Sequence, residues 1–166
     1  MRKNVMALVT LLLLNLLANA QSPNDCANAI NVCGNGIISS NAVGAGTQEL
    51  SNSNSCQSQE NNSLWLKIKI KDGGTLGFIL TPTSSSITID YDFFVFGPNV
   101  SCGNIGQAIR CSTTNPQAAG QSSNQTGMNG SNSDDSEGPG ANGNGFVEWL
   151  TVQPNEEYFI VLVALI

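Results

Sequence analysis

Alternation of apolar and polar residues marks the clearest elements of the chain. In residues 64–71, apolar side chains alternate with Trp65 and three lysines, a period of two that is typical of a β-strand. The same period recurs in residues 87–96 and 146–152, where β-branched and aromatic residues favour strands over helices. Residues 158–166 form an unbroken apolar run, which predicts a strand that is buried on both faces.

Turn-forming residues separate these predicted strands. Asp72, Gly73 and Gly74 follow the first strand, so we expect it to form a β-hairpin with residues 75–80. Gly, Asn and Ser make up 19 of the 34 residues from 112 to 145, a composition that predicts a long loop. Short strands joined by such turns predict an all-β fold, a jelly-roll-like β-sandwich with a long Gly/Asn/Ser-rich loop.

The ends of the chain indicate its destination and extent. Residues 1–20 combine a basic start, an apolar run and small residues at Ala18 and Ala20, which is the pattern of a secretory signal peptide. The apolar run is shorter than the ~20 residues that a bilayer requires, so we expect no membrane span after signal cleavage. The mature chain, residues 21–166, fits a single module that is secreted or held at the cell surface. Because it ends inside an apolar strand, we expect a module that is truncated at the C-terminus and lacks its last strand.

Charge and composition exclude several classes of function. Without residues 1–20 the chain has four basic and twelve acidic residues, a formal net charge of −8, which disfavours nucleic acid as a partner. The sequence contains no histidine, so Ser-His-Asp catalysis, Cys-His catalysis and histidine-ligated metals are excluded. We therefore expect a protein that is not an enzyme.

Five cysteines lie in the exported part of the chain, where an oxidising environment allows disulfides. Cys102 and Cys111 are nine positions apart with two glycines between them, a spacing that can close a loop, and we predict a disulfide between them. Cys26, Cys33 and Cys56 then compete for one further bridge. The sequence leaves open which of these three stays unpaired.

Carboxylates supply the candidate metal site. Asp90 and Asp92 are two positions apart on a predicted strand, so their side chains share a face at a separation of about 7 Å. Asp134, Asp135 and Glu137 lie in the predicted long loop. Hard oxygen ligands of this kind favour Ca²⁺, and a bound cation would order a loop that buries little apolar surface. We therefore predict that these five acids bind calcium.

Two other interpretations of the acids stay open. Asp90 and Asp92 can form a solvated strand face, with the loop acids serving only solubility. Alternatively, two of the four residues Asp90, Asp92, Glu60 and Glu148 can act as acid and base in a glycosidase. Every acidic protein offers such pairs, and the sequence does not fix their separation.

Three aromatic residues suggest a ligand-binding surface. Trp65, Trp149 and Tyr91 can form a platform for sugar rings, since a flat aromatic face packs against an apolar ring surface. Trp65 shares a strand face with lysines, so it is either exposed or covered by a second layer, and aromatic residues of this kind can instead fill a core. The expected partner is an extracellular glycan or another surface polymer.

Several short motifs, taken in order, carry a resemblance to a known family. They are NDCANAI at 24–30, NSLWLK at 62–67, DYDFFVFG at 90–97, IRCS at 109–112, SEGPG at 136–140 and YFIVL at 158–162. The chain resembles the β-sandwich modules of large secreted surface proteins of Bacteroidetes-type bacteria, which are exported by the type IX system and linked to adhesion or gliding motility. More distantly, it is similar to bacterial pre-peptidase C-terminal domains. The resemblance implies a non-catalytic module that is one of several in a longer chain.

The expected function is therefore that of a secreted, non-catalytic binding or structural module of a bacterial cell-surface or adhesion protein. The alternative is a calcium-stabilised carbohydrate-binding module that accompanies a secreted hydrolase. The two hypotheses share a fold and a compartment and differ in the ligand.

Overall fold

The computed structural model describes residues 22–56 and 58–165. The predicted signal peptide, residues 1–20, lies outside this part. The described residues form one short 3-10 helix, Cys26–Asn28, and eleven β-strands. The strands are β1 Ile30–Val32, β2 Asn62–Lys69, β3 Gly74–Leu76, β4 Phe78–Leu80, β5 Asp90–Phe96, β6 Arg110–Ser112, β7 Thr126–Asn129, β8 Ser136–Glu137, β9 Phe146–Glu148, β10 Leu150–Val152 and β11 Glu157–Leu165.

The strands form two layers that pack face to face. One layer is a six-stranded sheet with the order β1-β2-β11-β5-β6-β8. The other layer combines a three-stranded sheet, β4-β7-β9, with a two-stranded sheet, β10-β3. Most neighbouring strands are antiparallel, but β1 and β2, β6 and β8, and β7 and β9 are parallel pairs. The predicted all-β sandwich is confirmed.

β11 lies in the middle of the six-stranded sheet. It is antiparallel to β2 on one side and to β5 on the other, so that Ile160 pairs with both Leu66 and Val95. Successive side chains point to opposite faces, and both faces are covered: Ile160 belongs to one buried cluster and Val161 to another. The unbroken apolar run is therefore explained by burial on both sides, as predicted.

The core between the layers is built from alternate residues of the long strands. The ring of Phe93 on β5 meets that of Phe78 on β4 edge to face, with centroids 5.0 Å apart. Each such side chain contributes roughly 1.5–3 kcal/mol when it is fully buried. The buried members of this core are Leu64, Leu66, Ile70, Phe93, Val95, Met128, Val147, Leu150, Val152, Tyr158 and Ile160.

The six-stranded sheet also has a buried back face, by which we mean the face that points away from the second layer. The segment before β2 covers it, and the Trp65 N–H donates to the Pro23 carbonyl at 2.7 Å, which ties this segment to the sheet. The buried residues of the back face and its cover are Cys26, Leu50, Trp65, Phe94, Phe96, Ile105, Cys111, Phe159, Val161 and Val163.

Two disulfides fasten the cover of the back face. Cys26 is bonded to Cys102, and Cys56 is bonded to Cys111. The predicted bond between Cys102 and Cys111 is therefore wrong. The physical reason is that β6 pairs with β5, which holds Cys111 on the back face under the segment that contains Cys56. Cys33 is an exposed free cysteine.

The predicted hairpin between residues 64–71 and 75–80 is also wrong. β3 pairs with β10 and β4 pairs with β7, so the chain leaves β2 and crosses to the second layer. Turn residues indicate where a strand ends but do not select its next neighbour. Similarly, the predicted long loop at residues 112–145 contains β7, whose Met128 is buried in the core between the layers.

Candidate functional site

The structure places the three predicted platform residues on three different surfaces. Trp65 lies on the back face with an exposed fraction of 0%, so of the open alternatives the covered, core-filling position is the one observed. Tyr91 is half-buried and shares the face of Phe93, which points toward the second layer. Trp149 lies between β9 and β10 and is 45% exposed. The three rings therefore do not form a joint platform, and Trp149 is the most exposed of the three.

Trp65 is held by a carboxylate beneath the cover of the back face. Its indole Nε1–H donates to Oε1 of Glu60 at 2.7 Å, and the Glu49 N–H donates to Oε2 of Glu60 at 3.0 Å. Phe96 stacks on the indole and Phe159 meets it edge to face, with centroids 6.3 and 6.1 Å away. Burial raises the pKa of Glu60 to about 7, although its two hydrogen bonds act in the opposite direction.

A surface depression of about 490 Å³ borders Glu60. Its other lining residues are Gln48, Leu50, Ser51, Asn52, Ser53 and Gln59. The Glu60 side chain is almost wholly buried, and both of its carboxylate oxygens already accept hydrogen bonds. The depression therefore presents amides and hydroxyls, while the carboxylate serves to anchor the cover.

Asp90 and Asp92 share the back face, as the alternation predicts, but they are buried rather than solvated. Ser58 donates from Oγ to Oδ2 of Asp92 at 3.0 Å, and Asn115 donates from Nδ2 to Oδ2 of Asp90 at 3.0 Å. The Oδ1 atom of each aspartate is buried without a hydrogen-bond partner. Burial and then the charge of Asp90 raise the pKa of Asp92 to about 7, and burial raises that of Asp90.

The three loop acids of the predicted calcium site lie elsewhere. Asp135 pairs with Arg110, with Oδ1 2.7 Å from Nη1. Glu137 belongs to β8 at the edge of the sheet, and burial together with neighbouring Asp134 raises its pKa. Among the described residues, no group of three or more acidic or cysteine side chains is arranged to hold a metal ion. The structure does not bring the five predicted ligands together, because β8 pairs with β6 at the sheet edge.

Three of the four candidate acids of a glycosidase are enclosed. Asp90, Asp92 and Glu60 lie on the back face or under its cover, and their exposed fractions are 5%, 1% and 3%. Glu148 is half-buried on β9, in the other layer, with Oε2 3.8 Å from Nη2 of Arg110. A glycosidase needs two carboxyl groups that flank one bond of the substrate, and the three enclosed acids are shielded from solvent.

Trp149 has one covered face and one open face. A Cβ built on Gly130 would be equally close to Cη2 and Cζ3 of Trp149 and would lie 2.8 Å from Cε3. If this Cβ lay in the plane of the ring, outside its edge, its distance to Cε3 would be much larger. The backbone of Gly130 therefore lies against the flat face of the indole. Since Gly130 covers one face, we infer that the 45% exposure of the side chain lies mainly on the opposite face.

Polar residues precede both Trp149 and Gly130 in the sequence, namely Glu148 and Asn129. Asn129 and Glu148 pair in register on β7 and β9, next to Met128 and Val147, which point into the core. Because strand side chains alternate, Asn129 and Glu148 point outward. Asn129 was not predicted as a site residue, because its position beside Trp149 depends on the parallel pairing of two strands that no local pattern reveals.

No protein-family model, no curated protein and no solved structure matches the chain. In residues 22–56 and 58–165 there is also no helix with the length and apolarity that crossing a membrane requires.

Proposed function

We propose that the chain is a secreted, non-catalytic β-sandwich module of a bacterial cell-surface or adhesion protein. One observation carries the proposal. The acids whose pKa values reach about 7, Glu60 and Asp92, are enclosed beneath a cover that two disulfides hold, whereas an aromatic ring is exposed on the opposite layer. This arrangement suits binding more than catalysis.

The enclosed acids support a structural role. A general acid or base must come within hydrogen-bond distance of the substrate atom that it protonates or deprotonates. Oε1 of Glu60 is occupied by Trp65 and Oδ2 of Asp92 by Ser58, and both side chains are shielded from solvent. In the proposed module these acids hold the cover against the sheet.

The disulfides support an extracellular location. The bonds join residues that are 76 and 55 positions apart, Cys26 to Cys102 and Cys56 to Cys111, and they fix the cover to two different parts of the fold. Such bonds persist in oxidising compartments and are reduced in the cytosol. The N-terminal pattern of a signal peptide and the resemblance to surface modules of Bacteroidetes-type bacteria favour the same location, with the module forming part of a longer chain.

Location and attachment test the proposal directly. An antibody against the mature chain should label intact secreting cells or their medium, and deletion of the gene should reduce attachment to a solid surface. Incubation of the purified chain with polysaccharides should release no reducing ends. The proposal fails if the protein is confined to the cytosol, or if polysaccharide is cleaved and the cleavage disappears in Asp92→Asn.

A further inference from the structure

The indole of Trp149 is a fixed, one-sided aromatic surface. Gly130 lies against one face of its six-membered ring. The base of the side chain is also packed, because a Cβ on Gly77 would lie 3.7 Å from the Trp149 Cβ, an ordinary van der Waals distance. That Cβ would lie 2.9 Å from the Met128 carbonyl oxygen, so the backbone of Gly77 approaches β7 closely. The ring therefore needs little ordering when a ligand covers its open face, which reduces the entropic cost of binding.

A chain of hydrogen-bonded amides begins next to Gly130, the residue that covers the ring. Asn132 donates from Nδ2 to Oδ1 of Asn129 at 3.2 Å, and Asn144 donates from Nδ2 to Oδ1 of Asn132 at 3.0 Å. This chain of amides starts at the residue that precedes Gly130. It leaves the Asn129 amide nitrogen on the outer surface as a donor, beside the Glu148 carboxylate as an acceptor.

Arg110 fixes the acidic side of this surface. Its Nε donates to the Glu148 carbonyl at 2.9 Å, and its guanidinium lies between the carboxylates of Asp135 and Glu148. The Arg110 side chain is only 14% exposed, so its charge is directed at these partners and not at solvent. Arg110, which lies beside Glu148, is therefore already paired with carboxylates and is not a free cation that would attract phosphate or sulfate.

We propose that Trp149 binds the pyranose ring of a neutral extracellular polysaccharide, with Asn129 and Glu148 hydrogen-bonding its hydroxyl groups. This inference rests on the proposed function, because it names the ligand class of the proposed binding module. A pyranose presents an apolar C–H face to an aromatic ring and hydroxyls at its edge, which matches one open indole face bordered by amides and a carboxylate. The net charge of −8 on the mature chain disfavours acidic polymers.

Affinity electrophoresis of the mature chain tests this site. The native gels contain hydroxyethylcellulose, xylan, galactomannan or laminarin, each a neutral polysaccharide. At least one polymer should retard the wild-type chain, and Trp149→Ala should bind it about tenfold more weakly. Trp149→Tyr, which keeps an aromatic ring, should retain most of the binding. Val43→Ala is the matched control, because Val43 is an exposed apolar residue of the covering segment and should bind like the wild type.

A second measurement uses the wild-type chain and does not depend on the folding of a variant. Of the two tryptophans, Trp65 is enclosed and Trp149 is exposed, so acrylamide should quench mainly Trp149. The retarding polysaccharide should protect Trp149 from this quenching. The inference is overturned if no polymer retards the chain, if Trp149→Ala is retarded like the wild type, or if a bound polymer leaves quenching unchanged. In each case the proposed function stands as long as surface location and attachment are observed.

Discussion

Trp65 donates its indole N–H to Oε1 of Glu60 at 2.7 Å, and both side chains are almost wholly removed from solvent. The hydrogen bond joins β2 to the covering segment of the back face. Since a neutral indole donor only partly replaces the water lost by the carboxylate, the pKa of Glu60 still rises to about 7. The cover is thus held by a group that changes charge near neutral pH.

Removal of the Trp65 donor should destabilise the fold. In Trp65→Phe, Oε1 of Glu60 loses its hydrogen bond and a small cavity remains, so the free energy of unfolding should fall by about 2–4 kcal/mol. This decrease in the free energy of unfolding should be larger at pH 8 than at pH 5, because the Glu60 carboxyl without its donor is ionised at pH 8. Urea unfolding at both pH values measures the decrease. Trp149→Phe is the control and should change stability by less than about 0.5 kcal/mol; equal losses in the two variants would contradict the burial of Trp65.

Stability should decline as the pH rises toward neutrality. The pKa of Asp92 is about 7 in the folded chain, well above its ordinary value of 3.8, so between these pH values the folded chain holds a proton that the unfolded chain has lost. Its contribution is complete below pH 4, falls by about 1.4 kcal/mol per pH unit, and is gone above pH 7. Glu60 acts in the same direction. Thermal melts from pH 4 to pH 8.5 should show this decline.

Asp92→Asn should flatten that pH dependence. The variant removes the buried charge, so its melting temperature should exceed that of the wild type at pH 8.5, and the difference should shrink at pH 5. Asp72→Asn changes an exposed turn residue, so its melting temperature should depend on pH in the same way as that of the wild type. Parallel profiles for Asp92→Asn and the wild type would show that Asp92 does not titrate with folding.

The disulfide pairing makes a prediction about individual cysteines. Cys102→Ser should lower the free energy of unfolding by about 2–5 kcal/mol, because it frees the covering segment at Cys26. Cys33→Ser should leave stability unchanged, since Cys33 is exposed and free. Peptide mapping without reduction should give linked peptides that contain Cys26 with Cys102 and Cys56 with Cys111. A peptide that links Cys102 to Cys111 would contradict the structure.

Gly130 should control the position of the Trp149 ring. In Gly130→Ala the new methyl group would meet the face of the indole, so the ring must move and become more accessible to acrylamide. Overpacking of this kind typically costs about 1–3 kcal/mol. Gly138→Ala is a matched control, because nothing lies within 4 Å of a Cβ at that position. If quenching is the same in both variants, Trp149 does not rest on Gly130.

Period-two patterns allowed β2 and β5 to be predicted, because alternation reports which residues share a strand face, and an unbroken apolar run allowed β11 to be predicted. Alternation does not report whether a second face is covered, which is why the sequence left open whether Trp65 is exposed or covered. Its burial depends on the segment that crosses the back face. The disulfide partners of Cys102 and Cys111 also depend on this crossing, and spacing along the chain does not encode it.

The candidate site was only partly predictable for a similar reason. Trp149 was a candidate from its residue type, but the contact with Gly130 requires β7 and β9 to be parallel neighbours. β7 lies in a stretch whose glycines and asparagines suggest a loop. Asp90 and Asp92 were correctly placed on one face, whereas Asp134, Asp135 and Glu137 were grouped with them only by chemistry.

Hydroxyl-radical footprinting of the two tryptophans tests the closed back face and the exposed outer ring together. Mass spectrometry of the native, oxidised protein reads out both residues in one sample. Trp149 should be modified many times faster than Trp65, and Trp65 should become reactive once the disulfides are reduced and the chain is unfolded. Equal modification of Trp65 and Trp149 in the native protein would contradict the enclosed Trp65–Glu60 pair and the assignment of Trp149 as the exposed binding surface.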